Sequence, residues 1–280
     1  MIKTPHELIR EKLQYYVPSS LLYILPNKWE KIGNVLIIKI PPALERYRRE
    51  IAGVYASVLK CKSVLEDLGG IKGEKREPNV RLIYGNSNTE TIHVENGIRY
   101  KLDPSKIMFS SGNMEERIRM ATIKAKDEVV VDMFAGIGYF SLPLAVYGSP
   151  KKVYAIEINP VAYRYLRENI TLNNVNAIVE PLLGDNKKAT PKGVADRVIM
   201  GYLHETHDHL PVALESLKGS GVIHYHEICP NELLKTRPLQ RVRNAAENLG
   251  FRIIDFKRRI VKSYAPGVSH IVLDVKVGRI

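Results

Sequence analysis

The hydrophobic pattern of the first hundred residues combines short apolar runs with one amphipathic stretch. A nearly continuous apolar run is typical of a buried strand, whereas apolar side chains repeated every three or four positions are typical of a helix. The elements predicted from these patterns are a strand at 35–40, a helix at 43–60, a charged glycine-containing loop at 69–79, a strand at 79–84 and a hairpin at 91–102. The pair Asn96-Gly97 favours a type I′ turn in that hairpin. Residues 1–105 are therefore predicted to form a small α+β domain.

From residue 106 onward the pattern changes to alternating strands and helices. Such alternation is typical of a mostly parallel sheet that is covered by helices on both faces. Two longer strands near the C-terminus are joined through Y-A-P-G, and we expect them to pair antiparallel at an edge of the sheet. The predicted strands lie at 129–132, 152–156, 177–180, 197–200, 221–226, 252–262 and 270–277. Residues 106–280 are therefore predicted to form an α/β domain.

The charge balance points to a polyanionic partner. The chain has 42 Lys and Arg against 30 Asp and Glu, a formal net charge of +12. Such an excess suits RNA or DNA, although Lys- and Arg-rich surfaces are also common in heat-adapted proteins. Residues 257–262 (K-R-R-I-V-K) interleave charges with apolar positions, so one face could follow a row of phosphates.

Cysteine usage and segment polarity indicate a cytoplasmic protein. Cys61 and Cys229 stand far apart, which argues against a disulfide framework or a zinc knuckle and fits a reducing cytosol. The N-terminus lacks the apolar core of a signal peptide. Residues 129–148 are apolar, but glycine and proline divide them into a βα unit, so no membrane span is expected. No protein partner is indicated.

Polar side chains follow three consecutive predicted strands of the second domain. Asp132 ends the first strand and leads into the glycine loop A-G-I-G at the start of a helix. Glu157 ends the next strand, at a spacing where a carboxylate can accept both hydroxyls of a ribose. Asp185 and Asn186 follow the third strand, where an adenine amino group could be recognised. The carboxyl ends of parallel strands meet at one edge, so these residues together predict a nucleotide-like ligand.

The motifs D-M-F-A-G-I-G, E-I-N-P and G-D-N are similar to the S-adenosylmethionine-binding motifs of Rossmann-like class I methyltransferases. Two further stretches, F-S-S-G-N-M-E-E-R-I-R and V-K-S-Y-A-P-G-V-S-H-I-V-L-D, resemble an archaeal and eukaryotic group that modifies the guanine-derived base at position 37 of tRNA. That group contains the tRNA guanine-37 methyltransferases and the wybutosine-synthesizing protein 2 enzymes. The resemblance implies S-adenosylmethionine as co-substrate and the anticodon loop of tRNA(Phe) as partner.

The same resemblance assigns residues to the cofactor pocket. By position, these are Ser110, Arg117, Asp132, Phe134, Gly136, Glu157, Asp185 and Asn186. Arg117 offers a fork of donors for the carboxylate of the methionine moiety. Glu116 matches the carboxylate that the methyltransferase branch is taken to use as a base. From the residues alone, the charges at 115–119 would be an ordinary solvated helix face.

The residues after the predicted strand at 197–200 distinguish the methyltransferase branch of this group from the wybutosine-synthesizing branch. The methyltransferase branch has an Asn-Leu-Pro type sequence there, which helps hold the target base, whereas this chain has Gly201-Tyr202-Leu203. The departure resembles the wybutosine-synthesizing branch. The resemblance therefore implies transfer of the 3-amino-3-carboxypropyl group to the tricyclic precursor 4-demethylwyosine, with release of methylthioadenosine. The alternatives are methylation of guanine-37 and an RNA-binding module with a vestigial cofactor fold.

Five of the eight histidines lie in two short patches: His204, His207, His209, His224 and His226. His204 and His207 could share a helix face, with His224 or Glu227 completing a metal site. However, the H-E-x-x-H spacing is missing and alkyl transfer from a sulfonium needs no Lewis acid, so no metal is expected. A polar surface loop is one reading, and contact of Tyr202 and His204 with the target base is the other, because aromatic side chains commonly stack on splayed bases. Tyr202, His204 and Glu116 are the catalytic candidates.

Overall fold

The chain forms two compact units in the computed structural model, which describes residues 3–72 and 77–280. The units comprise residues 1–111 and 112–280. The division thus lies a few residues beyond the boundary expected after residue 105. Within the described residues, no helix combines the length and the apolar character needed to cross a bilayer.

The first unit is built on a four-stranded sheet of order β1-β2-β3-β4, in which β2 and β3 run parallel and the outer pairs antiparallel; a separate hairpin, β5-β6, follows. The elements are α1 (Pro5–Leu13), β1 (Trp29–Ile32), β2 (Val35–Ile38), α2 (Arg48–Leu59), β3 (Ser63–Lys72), β4 (Glu77–Gly85), β5 (Thr91–Glu95) and β6 (Ile98–Leu102), with 3₁₀ helices at Ser19–Ile24 and Pro42–Tyr47. Both residues of the predicted type I′ turn have positive φ, 49° at Asn96 and 77° at Gly97, as that turn requires.

Two predictions for this unit need correction. The helix expected at 43–60 begins as the 3₁₀ helix Pro42–Tyr47 and becomes α-helical only at Arg48, because helix starts often tighten to the 3₁₀ form. The loop expected at 69–79 is largely strand. Gly69 and Gly70 adopt φ of +83° and +80° and form an irregularity, after which β3 and β4 pair again. Residues 73–76 lie outside the described residues.

The first unit also carries an open cleft of about 810 Å³. Polar groups from the β1-β2 turn and the β5-β6 hairpin line it, among them Lys31, Asn34, His93 and Lys101. None of the candidate site residues is among those that line this cleft.

The second unit is a seven-stranded sheet of order β12-β13-β11-β10-β7-β8-β9. Strands β7 to β11 run parallel, whereas β13 is antiparallel to both β11 and β12. The elements are α3 (Met114–Thr122), β7 (Val129–Asp132), α4 (Ser141–Gly148), β8 (Lys152–Glu157), α5 (Pro160–Leu172), β9 (Val179–Leu183), α6 (Asn186–Ala189), β10 (Ala195–Met200), α7 (Leu210–Ser216), β11 (Leu217–Pro230), α8 (Arg237–Asn248), β12 (Phe251–Ala265) and β13 (Val268–Arg279). The predicted α/β class, with a mostly parallel sheet and an antiparallel edge strand, is confirmed.

The strand order places the predicted site at the reversal point of the sheet. Strand β7 lies between β8, the next strand in sequence, and β10, which the chain reaches only later. In open α/β sheets, ligands bind outside the carboxyl ends of the strands at such a point. One face of the sheet is covered by α7 and α8 over a core that includes Val198, Tyr225 and Leu273.

Candidate active site

The loop after β7 is held together by a buried carboxylate. Asp132 is fully buried; its Oδ2 accepts a hydrogen bond from the Ser141 hydroxyl at 2.6 Å and its Oδ1 accepts one from the Phe134 amide at 3.2 Å. Burial raises the pKa of Asp132 to about 6, against the lowering effect of these hydrogen bonds. Asp132 therefore fixes the two ends of the loop to each other. A direct contact of Asp132 with the cofactor stays a prediction.

Two glycines in this loop are required by its shape. Gly136 has φ +59° and Gly138 has φ +100°, conformations that L side chains rarely adopt. A Cβ at Gly136 would lie 2.5 Å from the Tyr139 ring, and one at Gly138 would lie 2.5 Å from Leu142. The A-G-I-G segment thus turns tightly and leads into α4.

Glu157, at the end of β8, is linked to the same loop. Its Oε2 accepts a hydrogen bond from the Gly136 amide at 2.8 Å, and its Oε1 accepts one from the Asn159 amide at 2.7 Å. Burial raises the pKa of Glu157, while these amides lower it. A carboxylate oxygen has two lone pairs, so each oxygen keeps acceptor capacity for a ribose hydroxyl. Asn159 caps α5 with Pro160 at its first turn, as the sequence predicts.

Asp185 and Asn186 lie beyond the end of β9, as predicted. Asp185 Oδ1 accepts a hydrogen bond from the Lys187 amide at 2.9 Å and caps the short helix α6. Asn186 is buried, and its Oδ1 lies 2.8 Å from Nδ1 of His209. Burial lowers the pKa of His209, so a neutral ring with the proton on Nδ1 donates to this amide oxygen. No local pattern indicates that contact, because the two positions are 23 residues apart.

An aromatic cluster lies beside this site and accounts for two histidines of the first patch. The rings of Phe134 and Tyr202 stack with centroids 5.1 Å apart, and His209 meets Phe134 edge-on at 5.1 Å. His204 is exposed and lies edge-on between Tyr202 at 6.1 Å and Tyr264 of β12 at 6.2 Å. His207 pairs with the adjacent Asp208, with its Nε2 3.4 Å from Oδ1.

Helix α3 buries charged residues and exposes apolar ones. Glu116 is 1% exposed and Arg117 is 3% exposed, whereas Ile118 is 39% exposed. The solvated helix face that the residues alone favour is therefore wrong for Glu116 and Arg117. Ser110 belongs to the first unit and is half-buried there; its role in the pocket stays a prediction.

Glu116 is one end of a buried chain of charged and polar groups. Both of its oxygens accept hydrogen bonds from Arg119, at 2.5 and 2.9 Å, and Arg119 also donates to Asp274 of β13 at 2.9 and 3.2 Å. Asp274 Oδ1 lies 2.5 Å from Nδ1 of His224, whose Nε2 lies 2.8 Å from Arg197. Although burial alone raises the pKa of Asp274, His224 and Arg119 hold it at about 2.

The second histidine patch lies inside the domain. His226 and His270 are buried, with His226 Nδ1 lying 3.1 Å from His270 Nε2. His226 Nε2 lies 3.7 Å from Glu116 Oε1, and its ring packs 5.2 Å from that of Phe140. Burial lowers the pKa of both histidines to about 3.

The residues considered for a metal site are engaged elsewhere. His224 faces Asp274, whereas Glu227 lies on the opposite face of β11, where it accepts hydrogen bonds from Arg237 at 2.6 Å and Arg241 at 2.9 Å. In the part of the chain that the structure describes, no group of three or more His, Cys, Asp or Glu side chains is arranged to hold a metal ion.

The ring of Phe140 lies against the backbone of Gly201, the first residue after β10. A Cβ at this position would lie 2.6 Å from Cε2 of Phe140. Phe140 is itself buried, between this glycine and the ring of His226. The side chain that the methyltransferase branch carries here would therefore collide with Phe140 in this fold.

Comparison with known proteins places this site in a family. Residues 91–254 match the TRM5/TYW2 methyltransferase domain, and residues 9–89 match the TYW2 N-terminal domain. A tRNA(Phe) (4-demethylwyosine(37)-C(7)) aminocarboxypropyltransferase of Methanocaldococcus jannaschii is 51% identical over 90% of this chain and 99% of its own. A tRNA (guanine(37)-N(1))-methyltransferase Trm5b of Pyrococcus abyssi is 40% identical over 93% of this chain and 78% of its own.

A solved structure of a relative has the same fold as this chain. The crystal structure of Pyrococcus horikoshii TYW2 in complex with MeSAdo superimposes with a TM-score of 0.89 at 43% identity, covering 97% of this chain and 98% of that one. The similarity therefore covers residues of both units. The chain has the Rossmann-like fold of S-adenosylmethionine-dependent class I methyltransferases, and it belongs to the TRM5/TYW2 family.

Proposed function

We propose that this chain transfers the 3-amino-3-carboxypropyl group of S-adenosylmethionine to C7 of 4-demethylwyosine at position 37 of tRNA(Phe). The observation that carries the proposal is the 51% identity to the enzyme named for this reaction, over nearly the whole length of both chains. The sequence Gly201-Tyr202-Leu203, in place of Asn-Leu-Pro, supports the same branch. MeSAdo, the ligand of the Pyrococcus horikoshii relative, is methylthioadenosine, the by-product of this transfer.

The residues at the carboxyl ends of β7, β8 and β9 suit the co-substrate. Glu157 would accept the ribose hydroxyls, and Asp185 with Asn186 would recognise the adenine. Arg117 would hold the methionine carboxylate through charge-assisted hydrogen bonds. The sulfonium of the bound co-substrate supplies three activated carbons, and only the γ-carbon leads to this product. The task of the protein is therefore orientation, which keeps the γ-carbon in line with the acceptor.

The aromatic cluster is the proposed contact for the acceptor base. Tyr202 already stacks on Phe134, so its ring is held in a fixed orientation beside the cofactor residues. His204 is exposed next to it and can donate to, or accept from, an edge of the tricyclic base. Glu116 is the proposed base that removes the proton from the acceptor.

Strand β12 is the proposed track for the tRNA backbone. It is one of the two edge strands of the seven-stranded sheet, and Lys257 and Arg259 on it are exposed. Their partners across the ladder, Asp274 and Val272, lie on one face of the sheet, so the two cations point the same way. Tyr264 near the end of the same strand reaches His204, which connects the basic row to the aromatic cluster.

The affinity for tRNA should therefore depend steeply on salt. For the double variant Lys257→Ala/Arg259→Ala, the slope of log K against log salt should become shallower by about 2, because each lost phosphate contact changes it by roughly one. Filter binding at several salt concentrations measures the slope. Lys192→Ala/Lys218→Ala, at exposed ion pairs flanking the amino end of β10, is the matched control and should leave the slope unchanged. Equal slopes for both double variants would contradict the proposed track.

The proposal also assigns a role to each of the two domains. We infer that residues 1–105 add contacts to the same tRNA, and that residues 106–280 hold S-adenosylmethionine. The match of residues 9–89 to the TYW2 N-terminal domain supports a role for the first unit in the same enzyme. The cytoplasm is the proposed location, where the anticodon loop of tRNA(Phe) would be the target.

The by-product tests the reaction directly. We expect methylthioadenosine when the protein is incubated with S-adenosylmethionine and tRNA carrying 4-demethylwyosine, and no turnover with tRNA carrying guanosine at position 37. Chromatography of the nucleoside products distinguishes the outcomes. S-adenosylhomocysteine would instead establish methyl transfer, the activity named for the Pyrococcus abyssi relative. Failure to bind S-adenosylmethionine in calorimetry would leave only an RNA-binding role.

A further inference from the structure

His209 holds one end of a side-chain amide that belongs to the proposed adenine site. It is the last residue of the short 3₁₀ helix Thr206–His209, and its Nδ1 lies 2.8 Å from Oδ1 of Asn186. In the neutral ring with the proton on Nδ1, this nitrogen donates to the amide oxygen. The oxygen of Asn186 is therefore occupied by a group of the protein itself.

The nitrogen end of the same amide is available. Asn186 is only 7% exposed, yet its Nδ2 makes no hydrogen bond to any other described residue. This atom is not among the partnerless side-chain atoms that are sealed from solvent, so a ligand can reach it. An amide nitrogen carries two N–H donors, and polar groups on a buried side chain are normally paired. The arrangement therefore calls for an acceptor from outside the chain.

The preceding residue, Asp185, supplies the complementary group. Its Oδ1 accepts a hydrogen bond from the Lys187 amide at 2.9 Å, whereas its Oδ2 makes none within the described part of the chain. Two consecutive residues thus offer one acceptor and one donor. Adenine offers the matching pair, because its amino group donates and the ring nitrogens on either side of it, N1 and N7, accept.

The hydrogen bond from His209 decides which end of the amide is left for a ligand. An amide has one accepting and one donating end, and a half-turn about its last torsion exchanges them. With Oδ1 of Asn186 held by His209, Nδ2 is the end that remains. A ring nitrogen of adenine only accepts, so this is the orientation that fits it.

The ring of His209 is itself held in place. It meets the ring of Phe134 edge-on, with centroids 5.1 Å apart and planes at 85°, and it meets the ring of Tyr202 at 6.5 Å and 84°. Edge-on contacts between aromatic rings are a favoured geometry. The two neighbours therefore fix the plane of His209, and with it the direction in which Nδ1 points.

We propose that His209 is a positioning residue for the adenine of S-adenosylmethionine. It holds the Asn186 amide so that Nδ2 donates to a ring nitrogen next to the amino group, while Asp185 accepts from that amino group. The inference rests on the proposed function, in which Asp185 and Asn186 recognise the adenine. His209 acts through Asn186 and does not touch the ligand.

Calorimetry with methylthioadenosine and two variants separates the hydrogen bond from the ring packing. His209→Phe keeps a ring against Phe134 but removes the donor, and it should weaken binding about tenfold, because a mostly buried amide oxygen loses its partner. His209→Asn removes the ring but places an amide nitrogen at the position of Nδ1, and its affinity should stay within about threefold of wild type. If ring packing were the role of His209, the order of the two variants would be reversed.

Two ligand analogues test whether His209 acts on a ring nitrogen. The 1-deaza and 7-deaza forms of methylthioadenosine each lack one of the two acceptors. Wild-type protein should bind one of them about tenfold more weakly than methylthioadenosine, and with that analogue His209→Phe should cost less than about twofold more. With the other analogue the tenfold loss in His209→Phe should persist. A purely structural role would lower all three affinities by the same factor.

His207→Phe is the matched control. His207 lies in the same 3₁₀ helix and pairs with the adjacent Asp208, so this variant makes the same chemical change two residues away. It should leave the affinities for all three ligands unchanged. Asn186→Ala removes the amide on which His209 acts and should give the same pattern with the three ligands as His209→Phe, which keeps the test open if His209→Phe does not fold.

Either of two results would overturn the inference: wild-type affinity for methylthioadenosine in folded His209→Phe, or an equal loss for methylthioadenosine and both deaza analogues. The first would mean that the Asn186 amide needs no support, and the second that His209 only stabilises the fold. Failure of the proposed function has a different signature, since wild-type protein would then bind none of the three ligands.

Discussion

Replacing Glu157 with alanine is expected to weaken S-adenosylmethionine binding about 100-fold, because charge-assisted hydrogen bonds contribute roughly 1.5–3 kcal/mol each. Glu157 holds the loop through the Gly136 amide at 2.8 Å and is proposed to hold the ribose. The substitution thus removes the proposed contact to the ligand and the observed contact to the loop after β7. Isothermal titration calorimetry measures the dissociation constant.

Two further variants separate these effects. Glu180→Ala removes an exposed carboxylate of β9 that pairs with Lys152 at 2.7 Å, and it should leave the affinity unchanged, since surface ion pairs contribute little. Glu157→Gln keeps one acceptor oxygen and should fall between wild type and alanine. Wild-type affinity in Glu157→Ala would show that the end of β8 does not contact the co-substrate.

Between pH 8 and pH 5, the titration of His226, His270 and Asp132 together is expected to lower the free energy of unfolding by about 3 kcal/mol. The pKa values of His226 and His270 are held at about 3 in the folded protein, whereas an unfolded histidine titrates near 6.5. Between these values the unfolded chain binds more protons, so stability decreases as the pH falls. Each histidine accounts for about 2 kcal/mol at pH 5.

Asp132 acts in the opposite direction. Its folded pKa of about 6 lies above the ordinary value of 3.8, so the folded protein binds its proton first and gains about 1 kcal/mol at pH 5. Urea denaturation at a series of pH values measures the total, and the difference between wild type and His270→Gln isolates one histidine. Between pH 8 and pH 5, the free energy of unfolding of this variant should fall by about 2 kcal/mol less than that of wild type. An unchanged pH dependence would mean that His270 is accessible to protons in the folded state.

The backbone of the candidate site could be predicted because its signals are local. Asp132, Glu157 and Asp185 each end or follow an apolar strand, and parallel strands bring their carboxyl ends together. The helix start at Asn159 and Pro160 follows from capping chemistry in two adjacent residues. Each of these inferences needs only a short window of sequence.

The side-chain network could not be predicted, because its contacts join distant positions. Arg119 and Asp274 are 155 residues apart and His226 and His270 are 44 apart. Nothing in the local pattern of α3 indicates that its charged residues turn inward, since a charged helix face normally faces water. Only strand pairing in the folded sheet shows that His226 and His270 share a face.

The contact between Gly201 and Phe140 constrains how the two branches of the family can interconvert. A side chain at 201 needs the space that the Phe140 ring occupies, and that ring packs in turn against His226. An asparagine introduced at 201 would therefore be harmful in the present background, whatever benefit it brought to methyl transfer. The Phe140 ring must move or be replaced by a smaller side chain before position 201 can carry a Cβ, so the residues at 140 and 201 depend on each other along any path between the two activities.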